Sequence, residues 1–163
     1  LDKPQVFRGF APIIGDNPRF LILGTFPSPI SRDKGEYYAH PRNQFWRIIY
    51  GVFDIPFGGE SYECKQSILT ESGIALWDVI AECEAESALD STIRHPVYNT
   101  DLPEFIAEHG IRRVFFNGNN AYTFYKRGIG NIEKNVLPST SPAHAAMRFE
   151  EKLRRWKQNL REL

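Results

Sequence analysis

"RFLILGTFPS", residues 19–28, decides how the rest of the chain is read. Its first half, "RFLIL", is an apolar run that stops at Gly24. A short continuous apolar run closed by a turn residue fits a buried strand. The stretch after it, "GTFPS" (24–28), is a small turn rich in residues that leave extended structure.

Working outward, the same pattern recurs. "IALWDVI" (74–80), "RRVFFNG" (112–118) and "NVLPSTSP" (135–142) read as three further strands, the last running into a loop. Between them lie helical patterns. "NQFWRIIYGVF" (43–53) carries apolar residues at 45, 46, 48, 49, 52 and 53, a broad buried helix face. "SYECKQSILTESG" (61–73) and "NTDLPEFIAEHG" (99–110) each end in a stop glycine, and Asp101 is read as helix-start chemistry. "NAYTFYKRG" (120–128) is a short helix. A final helix is expected to open with Ser141 as cap and Pro142 in its first turn, with Phe149, Leu153, Trp156 and Leu160 as its apolar stripe. Strands alternating with helices imply a mainly parallel four-stranded sheet covered on both faces. The whole chain, 1–163, reads as one α/β domain.

Composition narrows the function. Apolar residues make up 42% and charged residues 25%, ordinary for a globular protein. No stretch approaches the ~18 to 20 apolar residues of a membrane span. The start lacks a signal-peptide pattern, so a cytoplasmic location and no membrane partner are expected. Twenty Lys and Arg balance 20 Asp and Glu, which argues against binding nucleic acid by bulk charge but leaves room for a local basic rim. The two cysteines, Cys64 and Cys83, read as buried free thiols, and the four histidines have no HxxxH or HxH spacing. No metal and no cofactor is expected. The chain is expected to work as a monomer.

In such sheets ligands bind beyond the carboxyl ends of the strands. That gathers "GTFPS", "WD" (77–78), "NGN" (117–119) and "LPSTSP" (137–142) in one place. The Ser/Thr/Pro turns present hydroxyls and backbone N–H groups suited to phosphate, though neither is a Walker loop nor a GxGxxG turn. A loop at 29–42 follows the first of them and carries Arg32, Lys34, His40 and Arg42 beside Tyr37 and Tyr38. Cations next to rings suit a nucleic acid whose base is stacked while its backbone is held. A base drawn into a pocket needs a ring face and amide donors and acceptors, which Tyr38 and Asn43 can supply. Phe45 and Trp46 read as core, and packing against the helix is the plainer reading of Tyr37. Asp78 stands out because it follows a strand, whereas Asp90 reads as a cap or a partner of Arg94.

Taken together, "LGTFPS", "YYAHPRNQFW", "GIALWDVIAECEAESALDSTIR", "FNGNNAY" and "LPSTSPAHAAMRFEEKLRRW" resemble the uracil-DNA glycosylase superfamily. Within it, the chain looks most like the hypoxanthine-type branch, the DNA-deoxyinosine glycosylases. "HPRNQFW" is also similar to the HPxNxFW segment of mismatch-specific uracil glycosylases. The resemblance runs from about residue 9 to 160. It implies a three-layer α/β/α sandwich and hydrolysis of the N-glycosidic bond of a deaminated base flipped out of DNA.

Two positions depart from the superfamily pattern. Relatives usually carry Asp or Asn before the proline of the first motif, where this chain has Phe26, and often His or Asn before the Pro-Ser of the second, where it has Leu137. In the hypoxanthine branch the asparagine of the "HPRN" stretch is catalytic, which maps onto Asn43. The resemblance then implies a set of roles. Asn43 positions the water, with His40 as its helper. Tyr38 and Phe26 stack the base. Asp78 and Asn117 either read the base edge or fill core and turn roles. Thr25, Ser28, Arg42, Ser139, Thr140 and Ser141 face the DNA, with 140–142 in the loop that enters the duplex in relatives. No lysine belongs to this pocket, so no lyase step is expected. The readings held beside this one are a uracil-preferring enzyme of the same fold and a non-catalytic nucleic-acid or nucleotide binder. Phe26 and Leu137 are what keep the binder in view.

Overall fold

The computed structural model describes residues 3–87 and 91–161. In chain order it contains β1 (Gln5–Arg8), β2 (Phe20–Gly24), α1 (Pro29–Lys34), α2 (Phe45–Val52) and α3 (Tyr62–Glu71). There follow β3 (Ile74–Asp78), β4 (Ile80–Ala85), β5 (Arg94–Tyr98) and α4 (Leu102–Glu108). The chain ends with β6 (Arg113–Asn117), α5 (Asn119–Gly128), β7 (Val136–Leu137) and α6 (Phe149–Arg161).

β2 is buried along its whole length because it is a central strand. It pairs in parallel with β3, Phe20 opposite Ile74 and Gly24 opposite Asp78, and on its other side with β6. β7 adds to β6 with Asn117 opposite Leu137, giving the order β3-β2-β6-β7. Successive residues of β2 serve opposite faces. Phe20 and Ile22 join a core with Phe45, Ile48 and Ile49 of α2, Leu69 of α3, and Trp156 and Leu160 of α6. Leu21 and Leu23 join a second core with Leu102 and Phe105 of α4 and with Ala121 and Tyr125 of α5. Helices on both faces of a four-stranded parallel sheet make the expected α/β/α sandwich.

Several local expectations need correction. "IALWDVI" is not one strand. β3 stops at Asp78, and the chain restarts at Ile80 as β4 in a separate antiparallel sheet of order β1-β4-β5. The break is held by Val79 N–H on the Gly24 carbonyl at 2.9 Å and Ile80 N–H on the Thr25 carbonyl at 3.1 Å. The 29–42 loop contains the short helix α1, capped by Ser28, whose hydroxyl accepts the Ser31 N–H. The last helix begins at Phe149 rather than at Ser141. Residues before it turn instead, with His144 N–H on the Ser141 carbonyl. Cys83 is buried as expected, but Cys64 is exposed on α3. Asp101 stands at the start of α4 without a side-chain cap bond. Asp90 lies outside the described residues. Among the described residues no helix is long and apolar enough to cross a membrane.

Candidate active site

The carboxyl ends of all four parallel strands open into one cleft of about 1220 Å³. Its floor is set by the last residue of each strand: Gly24, Asp78, Asn117 and Leu137 all line it. Thr25, Phe26 and Ser28 enter from the turn after β2, Tyr38, His40 and Asn43 from the segment before α2, and Ser139, Thr140 and Ser141 from the segment after β7. Of the residues given site roles by the resemblance, Arg42 alone is not brought to the lining, and it is exposed; the loop cations Arg32 and Lys34 do not line the cleft either.

Tyr38 is placed by its neighbours. The Tyr37 carbonyl accepts the Trp46 indole N–H at 2.8 Å, and the Tyr37 hydroxyl donates to the Ala11 carbonyl at 2.8 Å. On the other side, the Ala39 N–H donates to Ser31 Oγ at 3.0 Å. Tyr38 is fastened between these two and takes φ 53°, a left-handed conformation that costs a bulky residue about 1–2 kcal/mol. That backbone lays its ring against Phe45, with centroids 4.2 Å apart and planes 25° from parallel. Its hydroxyl is driven to the cleft floor, where it is buried without a hydrogen-bond partner among the described residues. Burial, and then the nearby Asp78 carboxylate, push the Tyr38 phenol pKa well up, so it stays protonated.

Asp78 is 5% exposed, and its Oδ2 has no hydrogen-bond partner among the described residues. Burial raises its pKa to about 7. It therefore keeps a proton below about pH 7 and can donate as well as accept there. Asn117 lies near enough to the Tyr38 hydroxyl to offset part of the rise in the phenol pKa, and its amide also ties down the segment after β7. Its Nδ2 donates to Thr140 Oγ1 and its Oδ1 accepts the Thr140 N–H, both at 3.0 Å. Thr140 is fully buried by this pairing, so its contribution to the cleft is the course of its backbone.

Asn43 stands two residues before α2. Its Oδ1 accepts the Phe45 N–H at 2.9 Å, which satisfies one of the open donors at the helix start. The same bond fixes the orientation of the amide, whose Nδ2 makes no hydrogen bond among the described residues. His40 Nδ1 accepts the Arg42 N–H at 3.0 Å, so the neutral ring carries its proton on Nε2. Phe26 is half-buried, with the Arg32 guanidinium 5.7 Å from its ring centroid; the same guanidinium is 4.5 Å from the centroid of Phe7 on β1. Phe26 thus occupies an aromatic and cationic stack, not a site for activating water.

This geometry can be set beside known proteins. The sequence profile described as Uracil DNA glycosylase superfamily matches residues 11–162. The chain belongs to the uracil DNA glycosylase superfamily. A hypoxanthine DNA glycosylase of Methanosarcina acetivorans is 36% identical over 144 residues, which cover 86% of this chain and 89% of the relative. A hypoxanthine DNA glycosylase of Methanosarcina barkeri is 31% identical over 139 residues, covering 84% and 87%. The solution NMR structure of a Methanosarcina acetivorans protein superposes with a TM-score of 0.72 at 29% identity, covering 97% of this chain and 98% of that one.

Some lining residues carried no sequence signal. Arg154, Arg155, Gln158 and Asn159 of α6 reach the cleft. Their helix reads as an ordinary amphipathic one, and only the tertiary fold brings its polar face there. The tight approach of Gly24 to Tyr38 was equally invisible.

Proposed function

We propose that this chain is a monofunctional DNA glycosylase that releases hypoxanthine, with uracil and xanthine as further substrates, from DNA. The two relatives named as hypoxanthine DNA glycosylases support the base. The observation that carries the chemistry is Asn43, whose amide is locked by the Phe45 N–H and faces the cleft where Phe26 offers no polar atom. The 1–163 chain is taken as a single domain for this activity, working as a monomer without metal.

In the reaction the bond between the sugar C1′ and the base nitrogen breaks, and its electron pair leaves with the base. The sugar passes through an oxocarbenium-like state, as in other glycoside hydrolyses. A water adds to C1′ and gives up a proton, leaving an abasic sugar and the free base. Little nucleophile activation is needed, so a positioned water suffices. Asn43 holds that water; its fixed orientation removes the reorganisation a free amide would require. His40, donating from Nε2, assists at the departing base. Tyr38 and Phe26 supply ring surface to the base. Protonated Asp78 meets the N–H and C=O edge that hypoxanthine and uracil share, and Asn117 supports that wall by holding Thr140. Thr25, Ser28, Ser139 and Ser141, with exposed Arg42 outside the cleft, take the DNA backbone.

The test uses duplexes carrying a single hypoxanthine, uracil or xanthine, incubated with the protein and then treated with alkali. Strand breaks at hypoxanthine support the proposal. Breaks at uracil alone, or at none of the three, overturn it.

A further inference from the structure

Lys152 is a charged residue with 1% exposure, and it forms no ion pair among the described residues. An ammonium taken out of water is costly unless it is well bonded. Here its Nζ donates to the His144 carbonyl at 2.7 Å and to Gln44 Oε1 at 3.1 Å. Gln44 in turn donates its backbone N–H to the Thr140 carbonyl at 3.0 Å. A ring of contacts therefore closes from Thr140 along the chain to His144, across Lys152 to Gln44, and back to Thr140. One turn further along α6, Trp156 donates its indole N–H to the Pro138 carbonyl at 2.9 Å.

The segment so held lies along the cleft. Ser139, Ser141, Pro142, Ala143 and His144 all line it, and Ala143 and His144 are exposed. Its middle, Pro142-Ala143, is small, apolar and stiff, the kind of wedge that fills a gap between base pairs. A loop that must be ordered on binding loses affinity by the entropy of ordering, and one held in advance does not. Charge-assisted bonds to carbonyls are the stronger way to hold it.

We propose that Lys152 is a positioning residue that presets the 138–144 turn to fill the space a base vacates in duplex DNA. This rests on the glycosylase reading above. Lys152 touches neither the base nor the water, and it acts through the shape of the turn alone.

The test compares binding to a duplex containing a stable abasic-site analogue with binding to the intact duplex of the same sequence. Wild type prefers the abasic duplex. Lys152→Met lowers that preference by at least about fivefold while intact-duplex affinity stays within about twofold, and Lys152→Arg, which keeps the donors, regains most of it. Should Lys152→Met not fold, judged by circular dichroism, Gln44→Leu opens the same ring and lowers the preference in the same way. An unchanged preference, a parallel fall in both affinities, or a wild type with no preference overturns the inference. Hypoxanthine release by wild type is scored separately, so an active enzyme indifferent to Lys152→Met overturns this inference without touching the proposed activity.

Discussion

A Cβ on Gly24 would stand 2.5 Å from the Tyr38 hydroxyl oxygen, so the strand end is open to glycine alone while Tyr38 keeps its place. The same atom would lie 2.6 Å from Asp78 Oδ1. Three residues from three segments thus meet at the cleft floor with no room for a side chain on Gly24. Gly24→Ala must displace Tyr38 or Asp78, at the roughly 1–3 kcal/mol typical of overpacking. Excision is expected to fall by about tenfold or more, since small misplacements near a reacting centre are costly. Thermal unfolding and single-turnover rates on one preparation check this; wild-type values for both would mean the floor is soft.

Asp78 gives a pH signature. Its folded-state pKa, raised to about 7 by burial, lies above that of the unfolded chain. The folded protein then keeps a proton that the unfolded chain releases near pH 4, so this group's contribution to stability falls as pH rises towards 7 and levels off above it. Asp78→Asn removes the titration while keeping the shape. The Tm of Asp78→Asn relative to wild type should therefore climb between pH 5 and 7 and then flatten, at up to about 1.4 kcal/mol per pH unit. Parallel Tm curves would show that Asp78 ionises normally.

Asn117 ties the second rim to the sheet through two hydrogen bonds to one residue, Thr140. Asn117→Ala leaves the fully buried Thr140 with an unsatisfied N–H, a loss of about 1–3 kcal/mol. Urea unfolding should show a lower midpoint at unchanged slope, with excision reduced further than stability alone explains because the 138–144 turn is freed. A midpoint equal to wild type would mean that Gln44, Lys152 and Trp156 hold the turn without it.

The sheet was legible in the sequence because burial on both faces leaves continuous apolar runs such as Phe20–Leu23. The second sheet was not. "AECEA" (81–85) is poor in strand-forming residues, and β5 contains Pro96. The pairing of β4 with β1 on one side and β5 on the other comes from tertiary contacts that no local pattern records. The start of α6 misled for a related reason. "SPAHAAMR" (141–148) is rich in helix formers after a good cap, yet Lys152, Gln44 and Asn117 hold its beginning as a turn. Local preference loses to buried hydrogen bonds. The lining of the cleft was legible at the strand ends and the turns beside them, as at Asp78 and Asn43. It was hidden where it depends on close approach, as at Gly24, or on a remote helix, as at Arg154.

Asn43 carries the central claim, and its cap bond to Phe45 allows catalysis to be separated from folding. Asn43→Ser keeps an N-terminal capping oxygen of similar quality but removes the amide. Single-turnover release of hypoxanthine from duplex DNA by this variant, with its Tm measured alongside, is the most direct test. The account predicts a Tm near that of wild type and a rate lower by about a hundredfold or more, the scale of losing one pre-placed polar group. A well-folded Asn43→Ser protein that releases hypoxanthine at close to the wild-type rate would contradict it.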